Sequence, residues 1–235
     1  MADWTRMLAE GPLEGAERSR HICELCSQLL GVSGAGISMV TPAGHRGVVC
    51  ATDEVSAQIE DLQFTLGEGA CVEAVTSGAP VMVADLHGRD SVAAERWPAF
   101  AEGIAAAGVR AVFALPLRVG LVGVGALDLY RDVPGTLTTG QLDAALTAAS
   151  AAATALLQLD TASAGSFADS PADRAAYQLQ VHQASGMVMI QANVTIEEAF
   201  LLLRAHAFAV GRPVADVAQD VVERRLRFPV EGQGQ

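Results

Sequence analysis

Between Val181 and Phe228, three helical patterns follow one another with almost no punctuation: VHQASGMVMIQANVTIEEAFLLLRAHAFAVGRPVADVAQDVVERRLRF. A unit this short cannot bury much surface, so it reads as a small helical appendage whose exposed face is meant to touch something. Thr195-Ile-Glu-Glu198 has capping-box spacing and starts the second pattern. Gly211 just past that pattern and Pro213 opening the next make the tight joint that a three-helix unit needs. The spacing predicts Ala199, Leu202, Leu203 and Val210 facing inward against Val214, Val217, Ala218 and Val221.

The rest of the chain is long enough for a larger domain. With 235 residues, 51% hydrophobic and a mean hydropathy of +0.31, there is material for one core of about 150 residues beside the small unit. The opening MADWTRMLAEGPLEG mixes acids with bases and has no apolar stretch, unlike a signal peptide. The low-charge run from Ala144 to Leu159 is too short and too weakly apolar to span a bilayer, so a cytoplasmic protein without a membrane partner is expected. The net charge of −12 argues against bulk binding to DNA or RNA, which needs a basic field. Lysine is absent. Up to residue 169 there are 20 acids and 9 Arg, leaving −11; from residue 170 on, 7 acids and 6 Arg leave −1. A nucleic-acid reader built from the tail must therefore rely on a few placed Arg.

Arg18 to Leu30 carries apolar residues at helical spacing and ends at Gly31. Short β-type runs follow: GISMVT with a Pro-Ala-Gly turn, GVVCAT, VMVADL, AVFALPLRV and VGVGALDLY. Helical patterns lie at Asp53 to Asp61, Gly69 to Ser77 and Trp97 to Ala107, and the long segment from Leu137 to Asp160 closes the domain. These predict an α+β fold with helices packed across a sheet. The boundaries expected are an N-terminal extension over 1–17, a first domain over 18–160, a linker over 161–171, a helical domain over 172–228 and a tail over 229–235. Ser170 as N-cap, Pro171 at the first helical position and Asp173 mark the start of the second domain.

Two resemblances fit these pieces. The Ala-Ser-Gly-Met step, EEAFxxLRxxA and GRPVxDVAxxVV resemble the ANTAR domain, the RNA-binding output module of transcription antitermination regulators. FTLGEGACVEAVTSGAPVMVADL, RWPAF and GVRAVFALPLRVGLVGVGALDLYR resemble a GAF domain of the kind that precedes ANTAR domains in actinobacterial proteins. The resemblance implies an N-terminal GAF-like antiparallel sheet flanked by helices and a C-terminal all-α three-helix ANTAR-like domain. It further implies a signal-responsive homodimer that binds paired hairpin loops in nascent RNA and promotes antitermination. Many members of the family have Lys where this chain has Ser185, which removes one phosphate contact.

On that reading, the candidate RNA contacts are Gln183, Ala184, Ser185, Gly186 and Met189 on the first helix of the unit, with Arg204, Arg212, Arg224 and Arg225. Gly186 in mid-helix costs about 1 kcal/mol against Ala unless a helix or a nucleic acid comes close. The planar Arg fork pairs with phosphate or a guanine edge and stacks on a loosened base. The bland alternative is solvated helix faces paired with Glu197, Asp220 and Glu223. In the first domain, Phe64, Cys71, Trp97, Phe100, Phe113 and Leu115 are candidate lining for an apolar pocket holding an unidentified small-molecule ligand. Cys23 and Cys26 form a C-x2-C on a helix with no second pair, so no metal site is expected, and all four Cys read as structural thiols. No cofactor is expected. Gly67-Glu68-Gly69 places an acid where a phosphate would sit, and neither a Ser/His/Asp set nor a spaced acid pair is visible, so no enzyme is expected. The alternatives are a GAF-type thiol enzyme acting on methionine sulfoxide and a DNA-binding regulator.

Overall fold

The computed structural model describes residues 2–9, 11, 13–41, 44–88, 91–158, 171–210, 212 and 214–228. The chain divides into two compact units, Met1–Ser163 and Ala164–Gln235.

The first unit runs α1 (Ala2–Ala9), α2 (Gly15–Leu29), β1 (Gly34–Thr41), β2 (Gly44–Ala51), α3 (Glu54–Leu66), α4 (Ala70–Ser77), β3 (Val81–Val83), α5 (Ala93–Arg96), α6 (Pro98–Ala105), β4 (Ala111–Val119), β5 (Val122–Arg131) and α7 (Thr139–Leu157). Its five strands form one antiparallel sheet in the order β2-β1-β5-β4-β3. Local chemistry sets the helix ends. Asp53 caps α3 by accepting from Ser56 N at 2.7 Å, and Gly67 and Gly78 end α3 and α4 with φ near +68°, which glycine adopts without strain. A capping box of Thr138 and Gln141 starts α7.

Both sheet faces are covered. Ile37, Phe113, Leu115, Leu117, Leu127 and Leu129 pack with α2 and α7, while Val112, Ala114, Ala126 and Tyr130 pack with α4 and α6. Strand residues alternate between faces, so a strand buried on both sides reads as an unbroken apolar run. The N-terminal stretch expected to be an extension forms α1. Leu8 joins the core, Trp4 Nε1 donates to Ala144 O at 3.0 Å, and the Arg18 guanidinium donates to Leu8 O, Gly11 O and Leu13 O.

The second unit consists of α8 (Pro171–Ala192), α9 (Ile196–Val210) and α10 (Val214–Val222). Its core is small-residue rich: Val181, Ala184, Val188, Ala199, Leu203, Ala207, Val214, Val217, Ala218 and Val221 are all buried. The capping box forms, with Glu198 N donating to Thr195 Oγ1 and Thr195 N donating to Glu198 Oε2. Two expected core positions are corrected: Leu202 is 36% and Val210 46% exposed, and Ala207 takes the inward place. Ala199, Leu203 and Ala207 form a four-residue ladder, from which Leu202 is turned by about 60° or more. Val210 is the last residue of its helix, one turn beyond that ladder. Residues 161–170 of the predicted linker 161–171, with its Ser170 cap, the joint residues Gly211 and Pro213, Pro42 and Ala43 of the first turn, and the tail 229–235 lie outside the described residues. No described helix is long and apolar enough to cross a membrane.

Candidate functional site

The six residues expected to line a pocket in the first unit are all buried, at 4% exposure or less, but they do not share one cleft. Cys71, Trp97 and Phe100 belong to the cluster on the α4 and α6 side, whereas Phe113 and Leu115 point to the α2 and α7 side. Strand alternation explains the correction, since Val112 and Ala114 are the β4 residues turned toward Cys71. Phe64 is buried on α3. Glu68 of the Gly-Glu-Gly string and Glu73 of α4 hold the segment that begins α6 in place: Glu68 Oε1 accepts from Phe100 N at 2.8 Å, and Glu73 Oε2 accepts from Trp97 Nε1 at 3.1 Å while pairing with Arg96. An acid near the first turn of a helix also meets the positive end of its dipole.

A polar cluster absent from the sequence expectations lies inside this unit. Glu60 from α3, Cys71 from α4 and Asp128 from β5 are buried, and their ligating atoms lie within 4.8 Å of one another. Gln63 bridges them: its Nε2 donates to Asp128 Oδ2 at 3.3 Å, and its Oε1 accepts from Cys71 N at 2.8 Å. Ser38 Oγ and both Glu60 carboxyl oxygens are buried without a partner at hydrogen-bond geometry, although Ser38 and Asp128 lie near enough to influence how Glu60 titrates. The one sequence signal was Asp128 itself, a carboxylate inside the apolar run GALDLY. Across the sheet, Cys23 Sγ and Cys50 Sγ are 2.8 Å apart, and burial pushes the Cys23 thiol up and Cys26 to about 12.

Burial pushes the Asp128 carboxyl up to about 7, and burial followed by the Asp128 charge pushes Glu60 well up. The fold therefore holds protons that the unfolded chain releases above its ordinary carboxylate pKa of about 4. The stability this gives is fully present below about pH 4 and is lost as pH rises through about 7. Thermal melts in metal-free buffer should show the first unit gaining roughly 5 to 10 °C between pH 8 and pH 5. Asp128→Asn should flatten that dependence; an unchanged slope would show that these carboxyls do not set it.

In the second unit, the structure separates the candidate contacts. Gln183 is exposed, and Gly186 and Met189 are half-buried on α8. Ala184 and Ser185 are corrected: their side chains turn into the helix packing at 0% and 2% exposure, and Ser185 Oγ donates to Val181 O at 2.8 Å. A Cβ placed on Gly186 meets nothing within 4 Å, so no neighbour within the chain requires glycine there. The Arg204 guanidinium stacks on Phe200, 4.2 Å from the ring centroid. Arg212 and Arg225 converge on Asp220, each at 2.7 Å, and Arg225 also pairs with Glu223. Those two charges are already partnered, and their hydrogen bonds hold the half-buried Asp220 carboxyl below its usual range. Arg224, at φ +62°, and Arg227 are exposed and have no ion pair among the described residues.

Comparison with known proteins accounts for both units. A GAF domain family model matches residues 15–156, and an ANTAR domain family model matches residues 173–222. Among solved structures, the GAF domain from the Acinetobacter phosphoenolpyruvate-protein phosphotransferase is 9% identical, with 66% of this chain and 89% of that chain covered at a TM-score of 0.50, a likeness of fold alone. The type II free methionine-R-sulfoxide reductase from Thermoplasma acidophilum is 14% identical over 66% of this chain and 95% of that one, at a TM-score of 0.46. No curated protein matches the chain. The two matched domains are regulatory rather than catalytic kinds; the five-stranded antiparallel sheet flanked by helices is GAF-like, and the helical second unit coincides with the ANTAR match. The chain belongs to the GAF domain family and, with an ANTAR domain behind its GAF domain, to the GAF–ANTAR two-domain regulators.

Proposed function

We propose that the second unit binds paired hairpin loops in nascent RNA and so promotes transcription antitermination in the cytoplasm, under control of a signal received by the first unit. The observation that carries this reading is the ANTAR match over 173–222, which coincides with a three-helix unit that has its own buried core. Hairpin loops suit such a reader because their unstacked bases offer faces and edges to a few side chains. On α8, the exposed Gln183 and the half-buried Gly186 and Met189 are the remaining candidates, and Gly186 leaves room for a close backbone approach. Arg224 and Arg227 supply exposed charge with no ion pair among the described residues, while Arg204, Arg212 and Arg225 contribute once they leave their partners.

Two copies are needed to read two loops. Light scattering of the full chain should report about twice 24.3 kDa, and a monomer with and without RNA would remove the two-loop mechanism.

Each Arg on a single-stranded loop adds about 0.7 to the salt slope, so a dimer using two or three per subunit should give roughly −3 to −4. Replacing Arg224 and Arg227 together by Ala should remove most of that slope, and Gly186→Ala should gain up to about 1 kcal/mol of helix stability yet weaken RNA binding. Titrations of hairpin RNA against salt, with duplex DNA as competitor and circular dichroism as folding control, provide the test. Parental RNA affinity in both variants, or preference for duplex DNA, would overturn the assigned face or the reading itself.

A further inference from the structure

We propose that Glu60, Asp128 and Cys71 form a binding site for one divalent cation of the zinc class inside the first unit. The proposal concerns that unit alone and stands or falls separately from RNA binding by the second.

Three elements deliver the donors to one point. Glu60 comes from α3, Cys71 from the first turn of α4, and Asp128 from the middle of β5, and their ligating atoms lie within 4.8 Å of one another. Two carboxylate oxygens and one thiolate sulfur are a mixed donor set that suits a borderline-soft cation; calcium and magnesium take oxygen alone. In a tetrahedral zinc site neighbouring donors lie about 3.3 to 3.7 Å apart, so atoms within 4.8 Å of one another reach that range by closing no more than about 1.5 Å on the ion.

A second observation points to a ligand. Ser38, fully buried on β1, presents a hydroxyl without a hydrogen-bond partner, and neither Glu60 oxygen has one. Buried polar atoms are nearly always satisfied, so three orphaned oxygens around a carboxylate pair mark a missing charge or partner. Among the described residues, neither Glu60 nor Asp128 has an ion pair. A divalent cation would supply the positive charge that lets both buried carboxyls give up their protons and ligate it.

The surrounding shell fits. Gln63 fixes Asp128 through its amide nitrogen and is itself fixed by the Cys71 backbone, as outer partners of metal ligands are. Glycine stands where the ligands need space: a Cβ on Gly36 would fall 2.5 Å from Glu60 Oε1, and one on Gly69 would fall 2.7 Å from Gln63 Oε1. With three protein ligands, a fourth position remains beside Ser38, as in zinc sites that hold an exchangeable group.

The test is a cobalt(II) titration of the chelator-treated full chain, followed by displacement with zinc. The parent should bind one cobalt per chain with a thiolate-to-metal charge-transfer band, and saturating zinc should raise the melting temperature of the first unit. Cys71→Ser should abolish the band. Asp128→Asn should weaken binding at least about tenfold, and Gln63→Ala, which removes no ligand, should weaken it about 10- to 100-fold. Cys23→Ser, on the opposite sheet face, should leave the band intact. Absence of saturable binding in the parent, or a band that survives Cys71→Ser and disappears in Cys23→Ser, overturns the site. If Cys71→Ser does not fold, parental affinity in both Asp128→Asn and Gln63→Ala overturns it instead.

Discussion

Leu203→Asp is expected to unfold the three-helix unit and abolish RNA binding, while the first unit keeps its own melting transition. Leu203 is fully buried on α9, which contacts both α8 and α10, and the core around it is otherwise built from Val and Ala. A unit of this size holds only about 3 to 5 kcal/mol of stability. The substitution removes the burial of a large side chain, worth about 2 kcal/mol or more, and adds an unpaired buried charge costing several more. Leu201→Asp, two residues away and 63% exposed, is the matched control and should leave the helices in place. Circular dichroism, a melt resolving two transitions and an RNA titration distinguish the cases. Retention of parental helix content and affinity in Leu203→Asp would show that this residue is not the keystone of the unit.

Gly125→Ala is expected to destabilise the first unit by about 3 kcal/mol, or roughly 10 °C in melting temperature. A Cβ on Gly125 would lie 2.2 Å from Ser38 O and 3.1 Å from Leu156 Cδ1. The first obstacle is backbone in the neighbouring strand β1, held by its pairing with β5, so it cannot rotate aside as a side-chain tip does. Gly140, where an added Cβ meets nothing within 4 Å, provides the neutral comparison in the same unit. A melt of Gly125→Ala indistinguishable from the parent would mean that β1 and β5 shift past one another more easily than their register implies.

Local signals carried much of the architecture because they act within a few residues. Gly78 closes α4 at the expected end of its helical pattern, Thr195 and Glu198 start α9, and each of the five predicted β runs overlaps a strand, although α3 runs past its expected end at Asp61 to Leu66. The misses have equally local causes. Helix α1 follows a short, charge-mixed stretch whose apolar residues, Trp4, Met7 and Leu8, are too few to declare a helix before a partner covers them. Phe113 and Leu115 were grouped with Cys71 because β4 is apolar on both faces, and alternation is then invisible in the sequence. Ala184 and Ser185 carried no sign of their direction, since small residues fit either side of a helix.

By itself the sequence determined the two-unit organisation, the α+β and three-helix classes and the family of each unit, since all rest on periodicity, capping and short motifs read along the chain. Asp220 was legible as an Arg partner, since Arg212 and Arg225 lie only 8 and 5 positions from it; that these two engage it while Arg224 and Arg227 stay exposed was decided by the structure. The acid and thiol cluster was a matter of topology. Strand order places β1 beside β5, bringing Ser38 and Asp128 onto the sheet face that α3 and α4 cover with Glu60, Gln63 and Cys71. Gln63 and Asp128 are 65 positions apart along the chain. Contacts at that separation are fixed by which strands pair and which face a helix covers, and neither leaves a mark in the spacing of the residues concerned.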